Sequence, residues 1–176
     1  QLSSVLIPYF YGKNLPILND VMFHIFPFIN VCWLYDIISA AGVIFFFFYC
    51  YNKEYESLPY FLLLFGIFEI IRGVSIFLTP IGSPNAATFN GITSFTILRY
   101  GVFPSGHTGT LFLGFLLAKA GWAKRWMLAF TIGTIITLLL SRGHYSIDIL
   151  AAMIFSYAIY VFGEKHLRQK LKVTIR

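Results

Sequence analysis

Charge is what this chain has least of. Of its 176 residues, 11% are charged and 58% are hydrophobic, whereas an ordinary soluble domain carries about a quarter charged residues. So few ionic groups cannot cover a water-exposed surface. That excludes a soluble globular enzyme and makes lipid the principal solvent. Acidic residues are the scarcest, seven against thirteen Lys and Arg, for a net charge of +6. In a membrane protein this excess is first a topology signal and second a hint of anionic partners. Cysteine is nearly absent. Cys32 and Cys50 stand near opposite ends of one apolar run, about 27 Å apart if the run is helical, which is too far for a disulfide. Redox compartment is therefore not encoded here. No His, Cys, Asp or Glu set has metal-ligand spacing, so neither a metal nor another cofactor is expected. The run Phe45, Phe46, Phe47, Phe48 reads as lipid-facing or packed filler, and no nucleic-acid partner is expected. No period of 20–50 residues repeats, and no segment is of low complexity.

What the chain does have is apolar length. Five runs cover residues 31–51, 58–79, 105–122, 126–141 and 144–163. Each is near the ~20 residues a helix needs to cross the hydrocarbon core, the third and fourth being somewhat short. Five in succession predict an all-α integral membrane helical bundle with five full transmembrane helices. Residues 1–176 are expected to form a single transmembrane domain. Residues 2–11 are apolar but too few to span, and the chain starts with Gln1. Residues 1–11 are expected to be the end of a longer, truncated sixth helix.

The basic residues orient the bundle. Lys53 follows the first run, Lys119, Lys124 and Arg125 join the third and fourth, and Lys165, Arg168, Lys170, Lys172 and Arg176 follow the fifth. Alternating spans put them all on one side, and the positive-inside rule makes that side, with the C-terminus, cytoplasmic. The opposite, exoplasmic or luminal side receives only Lys13, Arg99 and Arg142. The basic tail is read as topology plus attraction to anionic lipid.

Two polar stretches open on the side with few basic residues. In FPSGHTG, residues 103–109, Pro104 suits the first helical position, where its missing N–H would be unpaired in any case. Ser105, Gly106 and His107 then form a first turn whose free N–H groups can hold a phosphate. Gly106 lets the phosphate approach the backbone, and His107 can donate a proton to a departing oxygen. In RGHYSID, residues 142–148, His144 and Asp148 are four apart and share a helix face. The carboxylate can orient one ring nitrogen and leave the other free as a nucleophile. A carboxylate inside a membrane helix is costly and marks function. Together the two stretches can attack phosphorus, protonate the leaving group and hold the phosphate.

These residues resemble a known family. FPSGHT is similar to the second signature of the type 2 phosphatidate phosphatase superfamily. RGHYSID is similar to the third signature as its sphingomyelin synthase branch spells it. EIIRGVSIFLTPIGSP, residues 69–84, resembles that branch's Arg-containing second motif, and LPILNDVMFHIFPF, residues 15–28, resembles its first more weakly. The superfamily's Lys-x6-Arg-Pro signature is missing, and Ser141 and Arg142 lie almost beside His144; both departures lean towards the synthase branch. The proline of FPSGH is the phosphatase spelling. The family has six spans, which agrees with a missing first helix.

The resemblance implies that His144 is the nucleophile, forming a phosphohistidine, that Asp148 orients it, and that His107 protonates the leaving alkoxide and then activates the acceptor. The substrate is a membrane phospholipid. Ceramide or diacylglycerol as acceptor gives a head-group transferase of the sphingomyelin synthase kind. Water gives a phospholipase C-like enzyme or a lipid phosphate phosphatase. Arg99 and Arg142 lie close to the histidine motifs, and each is either a phosphate clamp or a solvated loop arginine. Arg72 lies about 10 Å inside the second run, with Glu69 three residues before it. The two are either a structural ion pair or a substrate contact, Glu69 then tuning Arg72 or holding a cationic head group. Asp36 reads as a polar residue facing the bundle and His24 as interfacial. Two other readings stand beside this one: a non-catalytic lipid-binding or lipid-moving member of the fold, and a vanadate-dependent peroxidase, which the apolar spans oppose.

Overall fold

The computed structural model describes residues 10–11, 15–84 and 102–168. Among these residues the regular elements are helical. A short helix α1 (Met22–Ile25) precedes α2 (Cys32–Lys53). A 3-10 turn (Tyr55–Ser57) leads into α3 (Leu58–Leu78). Then come α4 (Gly106–Leu117), α5 (Gly121–Leu140) and α6 (Ser146–Phe162), the last running on into a π-helical turn (Gly163–Leu167). The expected N-terminal helix end falls mostly outside the described residues. Phe10 and Tyr11 are helical, and their rings meet Phe77 edge-on at 5.8 and 6.0 Å.

All five apolar runs are helices, and the molecule is a helical membrane bundle. Four spans, Cys32–Lys53, Tyr55–Leu78, Gly121–Leu140 and Ser146–Leu167, are long and apolar enough to cross a bilayer. Their outward faces carry Ile44, Phe48, Ile70 and Leu78, each more than two-thirds exposed, as a lipid-solvated surface requires. Polar side chains inside these spans turn back onto their own helix. Thr131 Oγ1 donates to the Met127 carbonyl at 2.8 Å, Thr137 Oγ1 to that of Gly133 at 2.9 Å, and Ser75 Oγ to that of Ile71 at 2.8 Å. Each hydroxyl is thereby satisfied without water.

The third run behaves differently. It was expected to continue to Trp122, but α4 stops at Leu117 after 12 residues, about 18 Å of helix. It is the centre of the bundle, touching α2, α3, α5 and α6, and none of its residues is exposed. Small residues let the neighbours close in. A Cβ on Gly109 would lie 2.0 Å from the Phe68 ring, one on Gly114 2.7 Å from Met127 Cε, and one on Gly42 2.5 Å from Leu111 Cδ2. Phe46, Phe61, Leu64, Phe68, Leu111 and Met127 pack around this axis as the main core. A smaller cluster of Cys32, Tyr35, Leu138, Leu139 and Ile149 lies towards the end where α4 and α6 begin.

Candidate active site

The start of α4 is set by a cap. Ser105, not Pro104, flanks the helix: its Oγ accepts from the Thr108 N–H at 3.4 Å, and the first helical residue is Gly106. The expectation of Pro104 at the first helical position is corrected, because Ser105 outcompetes it as a capping side chain. Ser105 is fully buried, its N–H donates to the Asp148 carbonyl at 3.1 Å and its hydroxyl donates to Thr108 Oγ1 at 3.2 Å. Both Ser105 donors thus serve the fold. The first bond, with that of Ser156 Oγ to the Gly109 carbonyl at 2.9 Å, straps α4 against α6.

The other half of the site hangs on a tight helix exit. After α5, the Gly143 N–H donates to the Leu138 carbonyl at 2.9 Å and the Arg142 N–H to that of Leu139 at 3.2 Å. This closing pattern needs a left-handed residue, and Arg142 supplies it with φ 52. The Arg142 guanidinium lies over the rings of Phe23 and Phe28, at 5.4 and 5.6 Å, and donates to the Phe23 carbonyl at 3.2 Å. Its side chain thus packs on the segment that carries α1, while its Nε is buried with no hydrogen-bond partner among the described residues. Arg99 lies outside the described residues.

The turn delivers His144 to the head of α6. His144 is buried, with Nδ1 3.2 Å from Asp148 Oδ2. A carboxylate only accepts, so Nδ1 carries the proton and Nε2 keeps its lone pair. The same Oδ2 accepts the Tyr145 N–H at 3.0 Å, and Asp148 has no exposed surface. Burial drives the His144 pKa below its ordinary value, helped by the nearby charges of His107 and Arg72 and opposed by Asp148. The lowered pKa favours the neutral ring.

His107, one residue into α4, faces His144 with ring centroids 6.2 Å apart. Its Nε2 sits 3.0 Å from Asp36 Oδ1 on α2, and the Tyr35 ring packs edge-on at 5.2 Å. Asp36 is thus more than a polar residue facing the bundle. It is the partner of His107, and the site holds two His–Asp pairs. The available signal was its position, one turn into a membrane helix at the end where both histidines lie, where an ionisable residue is a functional candidate by default.

Arg72 reaches the same place from α3. Its Nε donates to the Pro104 carbonyl at 3.3 Å and its Nη1 to Glu69 Oε2 at 3.2 Å. A Cβ on Gly106 would lie 2.8 Å from Arg72 Cζ, so the guanidinium covers the first turn of α4. Glu69 is about half exposed. The head of α6, by contrast, is already occupied by carboxylates. Asp20 Oδ1 accepts the Ser146 hydroxyl at 3.0 Å and Asp20 Oδ2 the Ser146 N–H, while Asp148 takes that of Tyr145. The open anion-attracting helix end in the site is that of α4. Tyr145 ties the segments before α1 and after α3 to the head of α6, its hydroxyl donating to the Gly82 carbonyl at 3.1 Å and accepting the Leu18 N–H at 3.0 Å.

Two histidines, each with its own carboxylate, thus stand beside an arginine-covered helix start. Residues 102–165 match the family model for the PAP2 superfamily C-terminal region. That stretch contains His107, His144 and Asp148, and the match supports a link to the type 2 phosphatidate phosphatase superfamily, whose members are generally phosphatases. Asp36, Glu69 and Arg72 lie outside it. No curated protein and no solved structure shows a significant match to the chain. Among the described residues no His, Cys, Asp and Glu cluster could hold a metal ion.

Proposed function

We propose that the chain is a membrane-integral lipid phosphoester enzyme working through a phosphohistidine, and that it transfers or releases a phospho-head-group in the manner of the sphingomyelin synthase-like branch. The observation that carries this reading is the facing pair of histidines, 6.2 Å between ring centroids, each with its own aspartate. A purely lipid-binding protein has no use for two such pairs. His144 Nε2 attacks phosphorus and forms the N–P bond. The bond from phosphorus to the diacylglycerol oxygen breaks, and His107 supplies the proton that oxygen takes up. His107 then accepts a proton from the incoming hydroxyl, whose oxygen displaces His144 and restores it. Arg72 and the N–H groups of Gly106 and His107 hold the phosphoryl oxygens. Glu69 faces outward, where it can meet a cationic head group.

The burial of His144 favours a lipid hydroxyl over water as acceptor, since a dry site protects the phosphoenzyme from hydrolysis. The active site opens on the exoplasmic or luminal face, with the C-terminus cytoplasmic, in keeping with the basic residues at the opposite end. Purified protein given mixed phospholipids with and without ceramide is expected to form a new head-group lipid, seen by mass spectrometry, only when ceramide is present. Release of inorganic phosphate from a lipid phosphate, with no new lipid, would assign it as a phosphatase. No turnover of any phospholipid would refute the catalytic reading.

A further inference from the structure

The end of the bundle away from the histidines carries its own cavity, of about 270 Å³. It lies where α4 ends, α5 begins and α6 runs into its π-helical turn. Its walls include Phe61 and Leu117, and its rim includes Lys119, Lys124, Glu164 and Arg168. Two of the cations are balanced: Lys119 pairs with Glu54 and Arg168 with Glu164, whose Oε1 also accepts the Tyr60 hydroxyl at 3.1 Å. Donor capacity is left over. Arg168 Nε is buried and has no hydrogen-bond partner among the described residues. Lys124 is exposed and touches the Phe115 ring at 5.2 Å, and no carboxylate pairs with it among the described residues. A buried guanidinium N–H without an acceptor is an open demand for one.

The acceptor must suit both parts of the cavity. A phosphate oxygen satisfies Arg168 and Lys124. The apolar walls, with Leu62, Trp122 and Phe162 exposed nearby on the outer surface, suit a phosphate attached to acyl chains. We infer that this cavity binds the phosphate head group of an anionic phospholipid, at a site separate from the one that holds the substrate. An acidic peptide would not use the apolar walls. Free phosphate has the right oxygens but no apolar part.

The test uses the purified full chain carrying His144→Ala, so that no lipid is consumed, and native mass spectrometry to count bound lipid. Phosphatidic acid is titrated against phosphatidylcholine. Phosphatidic acid is expected to bind with one copy more than phosphatidylcholine. Lys124→Gln and Arg168→Gln are each expected to weaken that extra copy about fivefold, the equivalent of about 1 kcal/mol, and to leave phosphatidylcholine unchanged. Among the described residues the Lys124 side chain has no ion pair and lies over the Phe115 ring, so it keeps the test valid if Arg168→Gln does not fold. Unchanged phosphatidic acid binding in Lys124→Gln would overturn the proposal. Displacement of the extra copy by millimolar inorganic phosphate would overturn the lipid assignment in favour of free phosphate.

Discussion

Replacing Asp148 by Asn separates two jobs of one carboxylate. Both the His144 Nδ1 proton and the Tyr145 N–H converge on Oδ2, while Oδ1 is buried with no partner among the described residues. An asparagine with its oxygen in the Oδ2 place keeps both bonds and the ring's tautomer. Its amide nitrogen takes the empty place of Oδ1, at a cost to stability of about 1–3 kcal/mol for a buried unpaired donor. What is lost is the charge. In the proposed mechanism the ring becomes cationic as His144 Nε2 bonds to phosphorus, and Oδ2 lies 3.2 Å from its Nδ1. A unit charge about 4 Å from the ring centre, at an effective dielectric near 20, contributes about 4 kcal/mol, or about a thousandfold in rate. Asp148→Asn should therefore lower kcat by about three orders of magnitude with KM little changed. Single-turnover measurements on a fluorescent phospholipid in nanodiscs would read both. Acid-labile phosphoprotein should still form, slowly, in Asp148→Asn and never in His144→Ala. Activity of Asp148→Asn within about tenfold of the parent, or a loss confined to KM, would mean that the carboxylate does not stabilise charge on the ring.

Other perturbations test the remaining parts. Arg72→Gln should lower activity at least about tenfold with thermal stability nearly unchanged, and Gly106→Ala, whose new Cβ would meet Arg72 Cζ at 2.8 Å, should do the same by displacing that side chain; recovery of both stability and activity in Glu69→Gln/Arg72→Gln would make the pair structural. His107→Ala should lose about 10²–10⁴-fold on natural lipids but be partly rescued on a nitrophenolate ester, whose leaving group needs no proton; Asp36→Asn should follow the same pattern more mildly, and no rescue would refute the division of roles. Burial holds His144 below its ordinary 6.5, so kcat/KM should persist on the acid side below that value. Thermal stability should fall over the same range, because the unfolded chain then binds a proton that the buried ring refuses. Gly109→Ala, with its Cβ at 2.0 Å from Phe68, should destabilise the bundle by about 1–3 kcal/mol, read as a fall in Tm in detergent.

The helices were legible because apolar length is a local property, and their positions follow the runs closely. The His144–Asp148 pair was legible from its spacing, but not for the helical reason: the helix begins at Ser146 after an extended Tyr145, and His144 reaches Asp148 Oδ2 from the turn before it. What escaped depends on rotation of one helix against another. Asp36 and His107 stand 71 positions apart, and nothing local says which face of α2 meets α4. The end of α4 escaped for a different reason. The break after Leu117 runs Ala118, Lys119, Ala120; the exposed Lys119 was its signal, but the apolar residues on either side carry the run on to Trp122. The contacts of Arg142 with Phe23 and Phe28 also escaped, since they come from over a hundred positions earlier.

The helix that carries His107 has no exposed residue and ends well short of the thickness its neighbours cross. Changes in bilayer thickness act on membrane helices through their lipid-facing length, making them tilt or stretch the surrounding lipid. The short central helix offers the lipid no such handle. It is held at one end by the Ser105–Asp148 backbone bond and at the other by the Ala120 N–H on the Tyr49 hydroxyl. In thin and thick membranes alike, the outer helices can adjust around it while the reacting groups keep their spacing. Such an arrangement suits an enzyme whose solvent is also the source of its substrate.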